Sequence, residues 1–223
     1  MAIAQQDFSF SIPSPGSSAT FAHVVASGEY LTVTVACHNV TCSGVTYNGD
    51  AMTQSLLVEN GTYRGYIFTL SNPDTGTNNV IVTMSGSSYF MASAVSYSGV
   101  NNADAIDNTT STTGTSGDSS LSITTNYDNS FLIDVMEGEY TGFATPAASA
   151  PTSSNVRTIY AAATDHWSGD GYRTSTTAGS YQMKWTWSES TAWAHGILAL
   201  RESVASATIK DIIGGGMIVA PRL

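Results

Sequence analysis

The side chains able to carry chemistry in this 223-residue chain fall into a few groups. Of its four histidines (His23, His38, His166 and His195), the last sits inside the apolar run Trp193-Ala194-His195-Gly196-Ile197. That setting is typical of a strand residue satisfied by a neighbour rather than of a catalytic base. Carboxylates gather as Asp104/Asp107, Asp134/Glu137/Glu139 and Asp165/Asp170. Such pairs serve glycoside hydrolysis when held about 5–10 Å apart across a cleft. They also supply oxygen ligands to Ca²⁺, for which Asp104 and Asp107 are the first choice and Asp165–Asp170 the next; as solvated loop residues they would simply confer solubility. There is no G-x-S-x-G elbow, no H-E-x-x-H and no P-loop, and serine is too abundant for its nearness to a histidine to signal a triad. No catalytic residue is assigned, and the chain reads as non-enzymatic. Aromatics crowd the last third: Trp167, Tyr172, Tyr181, Trp185, Trp187 and Trp193. Trp185 and Trp187 share one strand face, as core-filling residues do. Trp167 lies in the polar stretch Asp165-His166-Trp167-Ser168-Gly169-Asp170, where no core is evident, so it and Tyr172 are candidates for contact with a glycan or a subunit.

Composition narrows the classes further. Seven Lys+Arg against 17 Asp+Glu give a net charge of -10, and charged residues are only 11% of the chain. A polar surface must therefore come from Ser, Thr, Asn and Gly. A general nucleic-acid binder needs a basic face that seven scattered cations do not make. The 42% hydrophobic content argues against wholesale disorder, and no apolar run reaches the ~18 residues of a membrane-spanning helix. Met1–Phe8 has neither a basic nor an apolar leader region, so it does not read as a signal peptide. Cys37 and Cys42 are too few for a closed zinc site; a local disulfide and two free thiols both remain open. The sequons at Asn39, Asn60 and Asn108 are expected by chance in so Thr- and Asn-rich a chain.

The elements that would position these residues are strands. Phe8/Phe10/Ile12, Leu31/Val33/Val35/Cys37, Val80/Val82/Met84 and Tyr181/Met183/Trp185/Trp187 alternate with polar or small residues, the period of a pleated strand with one buried face. More continuously apolar runs at 66–70, 90–97, 131–136 and 192–200 should be more central. Asn48-Gly49-Asp50, Asn60-Gly61 and Asn72-Pro73-Asp74-Thr75-Gly76 punctuate them as turns. No amphipathic helix is evident before residue 200, so the pattern predicts an all-β sandwich of two stacked sheets. The polar stretches 101–120 and 138–155 read as surface loops within it, since neither half looks complete alone. Val45-Thr46-Tyr47-Asn48-Gly49 and Val95-Ser96-Tyr97-Ser98-Gly99 share a V-[ST]-Y-x-G pattern, a weak sign of duplication.

Taken in order, the Leu-Thr-Val-Thr-Val strand, Val45–Thr53, Tyr66–Pro73 with Thr75-Gly76-Thr77, Val80–Thr83, Ala94–Val100 with Ala105-Ile106-Asp107, Lys184–Trp187, Ala192-Trp193-Ala194 and Ile197–Leu200 resemble a jelly-roll-like antiparallel β-sandwich domain. That domain occurs in bacterial surface proteins and in phage or environmental-virus structural proteins, and the likeness covers residues 5–201. It implies a structural role with no chemistry to carry over. Residues 202–223 depart from the pattern as a C-terminal apolar tail, in which Ile209, Ile212, Ile213, Met217, Ile218 and Val219 are candidate docking residues around a Gly214-Gly215-Gly216 hinge. Such a segment wants a partner surface, either on its own sandwich or, by strand addition, on a neighbour. The expectation is a virion structural protein, a capsid decoration or appendage subunit, associating with itself and with a virion or surface scaffold protein. The alternative is a carbohydrate- or receptor-binding module of an extracellular surface adhesin.

Overall fold

The computed structural model describes residues 1–11, 15–139, 147–148, 155–161, 166–187 and 190–203, and every regular element among them is a strand. The first half holds β1 (Ala4–Ser11), β2 (Gly16–Val25), β3 (Tyr30–His38), β4 (Cys42–Tyr47), β5 (Asp50–Ala51), β6 (Thr53–Asn60), β7 (Tyr63–Ser71), β8 (Gly76–Ser88) and β9 (Phe90–Ser98). These make two antiparallel sheets, ordered β1-β9-β3-β7-β6 and β2-β8-β4-β5. The second half holds β10 (Ile106–Gly114), β11 (Asp118–Thr125), β12 (Phe131–Glu139), β13 (Ala147–Ala148), β14 (Asn155–Ala161), β15 (His166–Thr174), β16 (Gly179–Thr186) and β17 (Trp193–Leu200). Its sheets are ordered β10-β17-β12-β15-β14 and β11-β16-β13.

The two halves are copies of one plan. Each strand of the second five-stranded sheet occupies the place of a strand in the first, and the registers agree residue for residue. Tyr30 lies opposite Ser71 and Tyr97, and Phe131 opposite Thr174 and Leu200. Even the irregularities repeat: the first strand of each sheet shifts register at Gln5/Phe8 and at Ile106/Asn108, and the last at Gln54/Leu56 and at Val156/Thr158. A bulge is a specific local device rather than a packing accident, so its recurrence at matching positions marks an internal duplication. The V-[ST]-Y-x-G segments are not part of it, because one leaves β4 and the other leaves β9.

Four layers result, with the five-stranded sheets inside. Val33, Val35, Val45, Phe68, Val80 and Val82 fill the first sandwich, and Leu121, Leu132, Met183 and Ile197 begin the core of the second. A third cluster, containing Tyr30, Ile67, Tyr97, Phe131, Val135 and Leu200, joins the two inner sheets. The contact is reciprocal: β12 packs on β7 as its counterpart β3 packs on β15, and β17 packs on β7 as β9 packs on β15. Equivalent faces therefore meet, as in a two-fold dimer. The single two-layer sandwich expected over residues 1–201 is thus two sandwiches stacked face to face.

Covering both faces of the inner sheets explains the continuous apolar runs: β3 and β17 are buried along their whole length, as strands enclosed on both sides must be. The polar residues that alternate with the apolar ones of β3, Thr32 and Thr34, are buried as well. The stretch 101–120 is not one loop but a connector followed by β10 and the start of β11. Its threonines and serines suit an edge strand with a solvated face. Of the stretch 138–155, the described residues end β12, form β13 and begin β14. At the β4–β5 hairpin Asn48 and Gly49 have φ of 49° and 92°, the left-handed pair that a two-residue hairpin turn requires.

Candidate functional site

The most concentrated chemistry lies inside the second sandwich. Asp134 on β12 accepts hydrogen bonds at one carboxylate oxygen from Trp185 Nε1 at 2.8 Å and from His195 Nε2 at 3.3 Å. His195 Nδ1 lies 2.8 Å from Ser119 Oγ on β11. The duplication shows that the fold does not demand this network. At the matching register positions the first sandwich has Ala19 for Ser119, Val33 for Asp134, Val82 for Trp185 and Ala92 for His195. Trp167, Trp185 and Trp193 enclose it with Met136, and Trp187 packs against that cluster. Ser119, His195 and Asp134 have the composition of a nucleophile, base and orienting acid. Here, however, all three are sealed at 0% exposure between two sheets. A nucleophile so enclosed meets no substrate, and the arrangement acts as an internal polar strut. The expectation of a histidine satisfied by neighbours describes His195 well. Its partners were unreadable because they come from strands distant in sequence.

A second polar group lies where the sandwiches meet. Asp170 on β15 accepts from Ser93 Oγ at 2.8 Å and from Arg157 Nη1 at 3.1 Å, and Ser93 Oγ is 2.5 Å from Thr34 Oγ1. Arg157 also lies over the Tyr172 ring, 5.1 Å from its centre. Burial pushes the Tyr97 phenol up to about 12, against the opposing pull of the Arg157 guanidinium. An ion pair this enclosed contributes fixed geometry more than stability, and its polar groups set how one sandwich sits on the other.

These placements revise the candidate residues. Trp167 is not in a polar loop: it lies on β15 at 1% exposure, against Trp185 and Trp187. Tyr172 stacks on Phe131 with ring centres 5.4 Å apart. Neither presents an open face for a sugar. Asp104 pairs with Arg201. Asp107 accepts from the Asn126 backbone N–H at 3.0 Å, from Asn126 Nδ2 at 2.9 Å and from Ser130 Oγ at 2.9 Å. Both calcium candidates thus have protein donors, and no cluster among the described residues could hold a metal ion. Asp134 and Glu137 project to opposite faces of their sheet, one to Trp185 and the other to Ser168. Asp165 and the tail residues Ile209, Ile212, Ile213, Met217, Ile218 and Val219 lie outside the described residues. Cys37 and Cys42 are both free and buried. The Asn60 amide donates to the carbonyls of Gly114 and Trp193, each at 3.0 Å, which leaves it no freedom to carry a glycan.

Two surface depressions lie on the first sandwich. A polar one of about 300 Å³ sits at the Asn48-Gly49 turn beside Asn78 and Asn79. A larger one of about 500 Å³ opens along the side of the first sandwich, over Val45, Met52 and Phe68. Sequence reasoning missed the latter because it forms between the edges of two sheets. Compared with protein-family models, with curated proteins and with solved structures, the chain matches none.

Proposed function

We propose that the protein is a non-enzymatic structural subunit of a phage-like particle, a capsid decoration or appendage protein, that assembles through its C-terminal segment. In this reading each sandwich is a jelly roll: β1-β9-β3-β7 facing β2-β8-β4-β5 is the strand order that two interleaved Greek keys give. The observation that carries the proposal is where the duplicated body closes. Val100 bridges to Glu202, Ser203 N–H donates to the Gly99 carbonyl at 2.8 Å, and the Met1 ammonium lies 3.2 Å from Glu202. Both copies of the plan are accounted for by residue 203. The following 20 residues, among them Ile209, Ile212, Ile213, Met217, Ile218 and Val219, have no counterpart in the repeat. Apolar sequence beyond the two copies of the plan wants a surface to cover it.

The test is a stop codon after Ser203, with full-length and shortened proteins compared by analytical ultracentrifugation and electron microscopy. The full-length protein should form ordered assemblies and the shortened one should stay monomeric while unfolding cooperatively. Equal assembly by a folded, shortened protein overturns the reading.

A further inference from the structure

We infer that the cleft on the side of the first sandwich is a receptor for an extended strand, and that its occupant is Met217-Ile218-Val219-Ala220 of the C-terminal segment. The inference rests on reading that segment as adhesive and adds the surface it adheres to. The outer sheet of the first sandwich ends in β5, which covers only Thr46 and Tyr47 of β4. Among the described residues, the edge of β4 from Cys42 to Gly44 therefore has no strand beside it. Across the gap runs β6, the last strand of the inner sheet. The floor between them is core: Val45, Met52 and Phe68 are 2%, 7% and 3% exposed and line a space of about 500 Å³. A Cβ built on Gly44 meets nothing within 4 Å.

An open strand edge above an apolar floor is what strand addition uses, main-chain bonds giving affinity and alternate side chains entering the gap. Four extended residues span ~13 Å, enough to cover the open edge of β4 from Cys42 to Gly44, beyond which the Val45 carbonyl accepts from the Met52 N–H. Met217 and Val219 alternate with Ile218 and Ala220, so either face of such a strand offers apolar side chains to the floor. Twenty residues following Ser203 reach up to ~65 Å, enough for the cleft of the same subunit or of an adjoining one. Charge is favourable as well. Residues 1–203 carry five Lys+Arg and 16 Asp+Glu, whereas 204–223 carry Lys210 and Arg222 against Asp211.

The test uses the full chain with a photo-crosslinking benzoylphenylalanine at Gln54, an exposed residue of the cleft rim. Equal amounts of ¹⁵N-labelled and unlabelled protein are mixed, irradiated and mapped by mass spectrometry. Crosslinks should fall on residues 217–220, and the pair Ile218→Asp and Val219→Asp, which puts a charge on each face of the strand, should cut their yield to background. Crosslinks that avoid residues 204–223, or that survive the two added charges, overturn the inference. Crosslinks confined to single chains leave the receptor intact but remove the cleft as a contact between subunits. The assembly reading itself stands or falls on the separate comparison with the protein ending at Ser203.

Discussion

His195 and Asp134, on neighbouring strands of the second sandwich, lie with Nε2 3.3 Å from Oδ2, where the first sandwich has Ala92 and Val33. One chain thus contains the same architectural position solved twice, once with aliphatic side chains and once with a hydrogen-bonded acid, imidazole and hydroxyl. That internal comparison separates what the fold requires from what was added to it.

Removing Ser119, Asp134 and His195 together should cost less than the sum of removing each alone. His195→Ala leaves Asp134 buried with Trp185 as its remaining donor, and leaving a buried polar group short of a partner costs about 1–3 kcal/mol. The triple substitution Ser119→Ala, Asp134→Val and His195→Ala installs the residues of the first sandwich at three of the four positions and leaves the Trp185 indole as the network's one remaining polar group. Urea denaturation should show the triple variant less destabilised than the sum of the single variants. Strict additivity would mean that the three side chains do not act together.

The thiols should be silent in the folded protein. Burial pushes Cys42 up to about 11 and Cys37 further in the same direction, the latter with help from the Glu137 carboxylate. The thiolate is the reactive species, so at pH 8 an aromatic disulfide reagent should find no fast-reacting group in native protein. It should find two thiols after denaturation. A fast-reacting native thiol would show that the first sandwich opens at its β3–β4 end.

What the sequence could reveal followed the range of the interactions involved. Period-two alternation and turn residues are local, so the strands of Leu31–Cys37, Val80–Met84 and Tyr181–Trp185 were legible, as was the central position of 90–97 and 131–136. The duplication was not. The copies conserve register and bulges but not side-chain identity, as Val33 against Asp134 and Ala92 against His195 illustrate. Thr109–Thr113 has the composition of a loop because it is polar throughout, and an edge strand with a solvated face is polar too. Trp167 read as exposed because the tryptophans that enclose it arrive from β16 and β17, after turns whose geometry the residue pattern does not give.

Two glycines should respond differently to the same added methyl. A Cβ on Gly114 would run into the indole ring of Trp193, a rigid group held in the tryptophan cluster. On Gly196 it would meet the Leu56 side-chain tip at 2.5 Å, across the contact between the two inner sheets. A leucine tip can turn aside and a packed indole cannot. Gly114→Ala should cost about 1–3 kcal/mol, the usual price of overpacking, and Gly196→Ala distinctly less. Comparing the two denaturation midpoints checks this, and a larger loss at Gly196 would show that the inter-sandwich contact is the less yielding.

The first sandwich should also carry a pH dependence of its own, through His23. Its Nδ1 lies 2.8 Å from Ser9 Oγ, while its Nε2 is buried without a hydrogen-bond partner. Burial lowers its pKa below the usual 6.5, with the Asp7 and Glu29 charges pulling the other way. Well above pH 6.5 the imidazole is neutral in both folded and unfolded chains and contributes no pH dependence. As pH falls below that value, the unfolded chain takes up a proton that the folded one resists, so stability declines until the lowered folded value is reached. Ile123 stands at the matching place in the second sandwich, which makes His23→Ile the natural control. Between pH 7.5 and 5 the urea midpoint of the parent protein should fall more steeply than that of the variant. Carboxylates shared by both proteins cancel in the difference. Parallel curves would mean that the folded protein accepts the proton at His23 as readily as the unfolded chain, with Asp7 and Glu29 offsetting the cost of burial.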